Sequence, residues 1–152
     1  MKIIVFSDSH GRTAPITHAI EKEGKSDMII HAGDVLRDVE DLKLMYPREN
    51  IVYVKGNNDF WDREAPEDRF FEIGGVKIFL THGHNYGVKY TLAKLKQHAQ
   101  KLGAQVCIFG HTHCPCNEND GGIIMFNPGS SNRSYGVVEI HDGKASAKIC
   151  ER

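Results

Sequence analysis

Apolar residues fall in short, dense runs along this chain, and each run gives way to a polar tail containing glycine. Lys2 to Phe6, Met28 to His31, Ile51 to Val54, Val76 to Leu80, Gln105 to Phe109 and Ile123 to Phe126 have the length and the β-branched or aromatic content of buried strands. Between them, apolar positions recur at helical spacing. Ala14 to Glu23 reads as a helix, with Pro15 tolerable in its first turn and Gly24 at its stop. Asp38 to Met45 carries Val39, Leu42 and Met45 on one face and ends before Pro47. In Val88 to Leu102, the residues Val88, Leu92, Leu95, Ala99 and Leu102 repeat at helical spacing ahead of Gly103, a good C-cap. Two hairpins are expected. Arg69–Ile73 and Val76–Leu80 flank Gly74-Gly75, and Tyr135–Ile140 and Ala145–Cys150 flank a turn through Asp142-Gly143. Phe60 to Asp68 has no period and reads as a loop. The order is β-α-β-α-β, then hairpin, helix and further strands. It predicts an α/β fold of two packed sheets with helices outside. No repeat or linker interrupts it, so residues 1–152 are expected to form a single domain.

Composition narrows the function. Nineteen Lys and Arg against twenty Asp and Glu leave a net charge of -1, which gives no sign of a nucleic-acid surface or a polybasic membrane anchor. No apolar run reaches membrane length, and the chain enters its first strand directly from Met1-Lys2. The expectation is a cytoplasmic protein with no membrane partner. Four cysteines at this length do not make a disulfide framework. Cys107 and Cys150 lie in strand-like runs, and Cys114-Pro-Cys116 has no second pair to complete a zinc knuckle and reads as a loop. Nine histidines are many for this size, and several sit beside glycines at strand ends.

Those strand ends carry the chemistry. In α/β sheets, sites form beyond the carboxyl ends of strands. Here successive ends deliver Asp8 and His10, then Asp34, then Asn57, then His82, then His111 and His113. An isolated Asp or His there is usually a turn former, but seven donors at five strand ends form a pattern. Seven overfill one tetrahedral site of about four ligands. Shared between two divalent ions, with Asp34 as the natural bridging carboxylate, they supply each ion with about four. Mixed carboxylate, amide and imidazole donors suit Mn²⁺ first, then Ni²⁺, Fe²⁺ or Zn²⁺, better than Mg²⁺ or Ca²⁺.

With those residues in view the chain resembles the calcineurin-like metallophosphoesterases. Asp8-Ser-His10, Gly33-Asp34, Gly56-Asn57-x-Asp59, His82-Gly83 and Gly110-His111-Thr-His113 match in order and spacing. The short length, Thr81-His-Gly-His-Asn-Tyr-Gly87 and Asn127-Pro-Gly-Ser130 resemble the small YfcE-type phosphodiesterase branch. The resemblance implies a four-layer α-β-β-α sandwich of two mixed sheets with a dinuclear metal centre. Asp8, His10 and His113 would hold one ion, Asn57, His82 and His111 the other, and Asp34 would bridge. The implied reaction is hydrolysis of a small phosphoester, with two cations clamping an in-line displacement by water. Many members carry a proton-donating His after the metal-binding Asn, where this chain has Asn58. Asn58 is the candidate catalytic contact, as an amide donor to a phosphoryl oxygen, or else only a turn residue. Lacking an acid there, the chain is expected to favour phosphodiesters and aryl esters over alkyl monoesters.

Softer candidates surround the site. Asp38 and Asp59 could orient ligating histidines, or cap a helix and a loop respectively. Arg12 and His84 are candidate substrate contacts, and His31 reads as packed behind the site. His18, His98 and His141 read as surface positions. Phe60 and Trp61 could form a substrate wall or a partner patch. A homo-oligomer is allowed but not specified. The rival reading is a non-catalytic, partner-binding scaffold of the same fold, as the retromer scaffold subunit is thought to be, with degraded metal ligands. Here all seven positions hold competent residues, which favours the enzyme. A third reading is a protein holding one ion only.

Overall fold

The computed structural model describes all residues from Met1 to Arg152. Ten strands form two five-stranded mixed sheets. The first joins β1 (Lys2–Phe6), β2 (Met28–His31), β3 (Ile51–Tyr53), β9 (Ser134–His141) and β10 (Lys144–Glu151) in the order β10-β9-β1-β2-β3. The second joins β4 (Asp68–Ile73), β5 (Val76–Thr81), β6 (Val106–Ile108), β7 (Cys116–Asp120) and β8 (Ile123–Asn127) in the order β4-β5-β6-β8-β7. Within each sheet the three site-bearing strands run parallel, β1-β2-β3 in one and β5-β6-β8 in the other. Their carboxyl ends therefore point the same way.

Side-chain alternation explains the dense apolar runs. Ile3 and Val5 of β1, Ile78 and Leu80 of β5, and Val106 and Ile108 of β6 meet between the sheets. Their neighbours Ile4 and Phe6 face outward, under Ile16 and Ile20 of α1 (Ala14–Glu23) and Leu42 of α2 (Leu36–Met45). On the far side Phe79, Cys107 and Phe109 face Leu95 and Ala99 of α3 (Ala93–Leu102). Three apolar clusters thus separate four layers, helix–sheet–sheet–helix. Strands covered on both faces read as continuous hydrophobic runs instead of alternating ones.

Both expected hairpin turns form, with positive φ at Gly74 and Gly75 and at Asp142 and Gly143. Elsewhere boundaries move. The third helix starts at Ala93, not Val88. Gly83 and Gly87 adopt left-handed φ of 100° and 65° around a short 3-10 turn, His84–Tyr86. Val88 and Leu92 still pack into the core under α3, so the period caught a real apolar face on backbone that is only partly helical. The second helix starts two residues early because its Leu36 N–H is taken by Asp59 Oδ1 at 2.8 Å, a cap supplied from 23 residues away. Cys114-Pro-Cys116, read as a loop, runs straight into the edge strand β7, which starts at Cys116 and takes in residues to which the pattern gave no element. Its Cys-Asn-Glu-Asn-Asp is nearly all exposed and carries no apolar pattern, and its place is set by pairing with β8. No helix is long and apolar enough to cross a membrane.

Candidate metal centre

The loops after β1, β2, β3, β5 and β6 meet above the parallel strand ends and are stitched together by backbone. The Asp8 and Ser9 N–H groups donate to the Gly33 and Asp34 carbonyls at 3.1 and 3.2 Å, and Gly110 N–H donates to the His82 carbonyl at 3.1 Å. Two glycines permit this approach. A Cβ on Gly56 would overlap the Asp34 carboxylate, and one on Gly110 would overlap Ser7 Oγ.

Seven donors converge. Asp8, His10 and His113 present ligand atoms within 4.8 Å of one another, and so do Asp8, Asp34 and His82. His10 Nε2 lies 3.2 Å from His113 Nε2, and His113 Nε2 lies 3.2 Å from Asp8 Oδ1. On the other side His82 Nε2 stands 3.1 Å from Asn57 Oδ1, 3.6 Å from Asp34 Oδ2 and 3.9 Å from Asp8 Oδ1. The His111 ring sits against His82 with centroids 5.0 Å apart. Asp8 is the carboxylate common to both groups. Asp34 instead accepts the Asn58 N–H on Oδ1 at 3.0 Å and the Asn58 side-chain amide on Oδ2 at 2.8 Å. Asn58, the candidate substrate contact, therefore has its amide engaged on Asp34.

The residues fit a divalent metal. Asp8 Oδ1 is fully buried and accepts no hydrogen bond, an arrangement costly enough to need a cationic partner. In a tetrahedral site, bonds of about 2.0–2.1 Å to nitrogen place neighbouring ligand atoms roughly 3.3–3.4 Å apart, and the 3.2 Å separations at His10, His113 and Asp8 come close to that spacing. Burial, and then the neighbouring His82, lower the His111 pKa to about 4. Burial and His82 likewise lower that of His84. Neutral imidazoles keep the lone pair that binds metal.

The supporting carboxylates hold loops instead of imidazole rings. Asp59 accepts the Gly56 and Leu36 N–H groups, both at 2.8 Å, so it fixes the turn that carries Asn57. Asp38 accepts Ser9 Oγ at 2.5 Å and Gly11 N–H at 2.8 Å, and so braces the loop of His10. Behind that loop His31 is fully buried, its Nδ1 accepting Gly33 N–H at 3.3 Å. That assigns the Nε2–H as donor to Ser9 Oγ at 3.0 Å, and Ser9 passes its own proton toward Asp38. Burial lowers the His31 pKa to about 4.

Other parts went unread. Asn127, at the end of β8, donates to the Gly110 carbonyl and to Thr112 Oγ1 at 3.0 Å each and so holds the His111–His113 turn. Ser130 Oγ donates to the Asp8 carbonyl at 3.0 Å. The position of Asn127-Pro-Gly-Ser130 at a strand end was the available signal. His84 lies beside His82 and His111, at 5.5 and 6.1 Å between centroids. Arg12 lines an open cleft with His10, His113, Ser130, Asn132 and Arg133. His18 and His141 are exposed, whereas His98, read as a surface position, is half-buried against Phe79 and Tyr86, 5.2 and 5.3 Å between centroids. Phe60 and Trp61 are exposed.

Two mixed sheets in a sandwich, with nitrogen and oxygen donors gathered at their strand ends, define an α/β protein with a candidate metal site. Residues 1–143 match the calcineurin-like phosphoesterase superfamily domain. The chain belongs to that superfamily and, within it, to the small YfcE-type branch. It is 33% identical to the probable metallophosphoesterase YsnB of Bacillus subtilis, over all of this chain and 92% of that protein. It is 39% identical to phosphodiesterase YfcE of Escherichia coli, over 91% of this chain and 88% of that one. A crystal structure of a predicted phosphoesterase from Streptococcus pneumoniae superposes with a TM-score of 0.81 at 33% identity, covering 99% of this chain and 88% of that one. Vps29 of Entamoeba histolytica superposes with a TM-score of 0.80 at 22% identity, covering 100% and 99%, a likeness of fold alone.

Proposed function

We propose that this chain hydrolyses small phosphodiesters with the help of two divalent cations, Mn²⁺ first among them. Asp8, His10 and His113 would hold one ion and Asn57, His82 and His111 the other. Asp34 would lie between them, since each of its oxygens keeps a lone pair beyond its bond from Asn58. Bound cations would supply the Lewis acidity that readies a water and offsets charge on the phosphoryl oxygens. The observation that carries the reading is the buried, unpartnered Asp8 Oδ1 set between His113 and His82.

The chain's own residues shape the rest. Asn58 and Asp59 hold Asp34 and Asn57 in place. The Arg12 guanidinium, at the rim beside His10, is placed to steady a non-bridging phosphoryl oxygen. Attack of water on phosphorus breaks one P–O bond, and the departing oxygen takes its proton from solvent, because Asn58 has none to give. Good leaving groups are therefore favoured. The partner-binding scaffold reading has less support, because every donor position is filled.

The test is reconstitution of metal-free protein with Mn²⁺, Ni²⁺, Zn²⁺ or Mg²⁺, with metal content and hydrolysis measured together. Two ions per chain are expected, with bis(aryl) phosphate cleaved faster than aryl phosphate and alkyl phosphate slowest. Asp34→Ala should lose at least one ion and turnover. A single tight ion without activity, or equal rates on all three esters, would overturn the proposal.

A further inference from the structure

Beside the metal centre lies a cleft of about 470 Å³ lined by His10, Arg12, His113, Ser130, Asn132 and Arg133. None of these is apolar and none is a carboxylate. The Arg12 and Arg133 guanidinium groups make no ion pair and donate no side-chain hydrogen bond within the protein, whereas Arg69 donates to the Tyr53 carbonyl at 2.8 Å. Two guanidinium groups outside any ion pair, in a cleft lined by no carboxylate, concentrate positive charge at one place, although Glu151 stands with Arg133 on the neighbouring surface. Each carries five donors in a planar fork suited to phosphate.

The cleft is also built on rigid backbone. Arg12 N–H donates to the Ser9 carbonyl at 3.1 Å and Arg133 N–H to the Ser130 carbonyl at 2.9 Å, so each arginine closes a tight turn. The two turns are pinned side by side by Ser130 Oγ to the Asp8 carbonyl at 3.0 Å and by Ser131 N–H to the Ser7 carbonyl at 2.9 Å. Asn132, on the second turn, lines the cleft between them.

We infer that this cleft is a second-anion subsite, and that the preferred substrates are phosphodiesters with one arm bearing a further phosphate. The inference rests on the phosphodiesterase reading above and narrows its substrate class. An apolar aryl arm finds no apolar wall in this cleft. A second phosphate finds the charged fork of Arg133, next to Arg12 on the scissile phosphate, and such charge-assisted bonds are among the stronger polar contacts.

The test compares two esters with one leaving group, the 4-nitrophenyl ester of thymidine 5′-phosphate with and without a 3′-phosphate, on the Mn²⁺-loaded full chain. The 3′-phosphorylated ester should be preferred at least tenfold in kcat/KM, mainly through KM. Arg133→Ala should bring the ratio of the two esters close to one, and Arg133→Lys should keep part of the preference. Similar kcat/KM for the two esters, or a preference that survives Arg133→Ala, would overturn the inference. If neither ester is cleaved, the phosphodiesterase reading fails, and calorimetry still decides the cleft. Thymidine 3′,5′-bisphosphate should bind at least tenfold tighter than thymidine 5′-phosphate to the parent chain but not to Arg133→Ala. Equal binding by the parent chain would overturn the inference by that route as well.

Discussion

Six residues other than glycine have left-handed φ, and five of them are Asp8, His10, Asp34, His111 and His113, at φ between 49° and 67°. The sixth, Asp142, sits in a hairpin turn. Each such residue costs of order 1–3 kcal/mol and persists only where its surroundings over-determine it. Here they are the proposed ligands, held by the bonds among Gly33, Ser9, Gly110 and Asn127. The other two proposed ligands, Asn57 and His82, reach the site without a positive φ. Residue-scale electrostatics make a further prediction. The folded pKa of His31, about 4, lies below its ordinary 6.5. Between those values the unfolded chain binds a proton that the folded chain refuses, so stability is complete above pH 6.5 and falls as pH drops toward 4. His111, also at about 4, acts in the same direction. Urea midpoints of metal-free protein should therefore decline across that window, and His31→Gln should decline less steeply. Equal slopes would show that His31 is not the source.

At the scale of elements, nine of the ten strands and the first helix were legible, because each is built from a local pattern that its own packing rewards. Two of the failures share a cause. Leu36 begins α2 because Asp59 reaches it from another loop, and β7 is a strand because β8 pairs with it; neither is visible within a window of local sequence. The stretch after Gly87 bends because two glycines turn ahead of it, a local signal that the apolar period of Val88 to Leu102 masked. The third helix provides the test. Leu95 is fully buried under Phe79 and Cys107, and truncating such a residue removes buried area and leaves a cavity. Leu95→Ala should cost about 2–5 kcal/mol of unfolding free energy. Tyr90→Ala, at a residue 94% exposed on the bend before the helix, should stay within about 0.5 kcal/mol of the parent. A comparable loss at both positions would mean that the bend is packed more tightly than its exposure indicates.

For the whole molecule, the fold and the site are separable in their energetics. None of the three apolar clusters includes a proposed ligand, so metal-free protein should remain folded. Metal that binds only the native state adds stability by mass action, about 2.7 kcal/mol for an ion at a hundred times its Kd. Chelation should therefore lower Tm by roughly 5–10 °C for a chain of this size, and added Mn²⁺ should restore it. An unchanged Tm would argue against specific sites. The candidate donors, their places after strands and the layered α/β plan could all be read in the sequence, because strand periodicity and strand-end glycines are local and chemically distinctive. The sequence did not contain the sharing of Asp8 between two donor groups, the capture of the Asn58 amide by Asp34, the reach of Asp59 to the second helix, or the arginine cleft between turns at Ser9 and Ser130. Those relations join residues up to 124 positions apart. Only the closing of two sheets on a common core brings such distant turns within hydrogen-bonding distance.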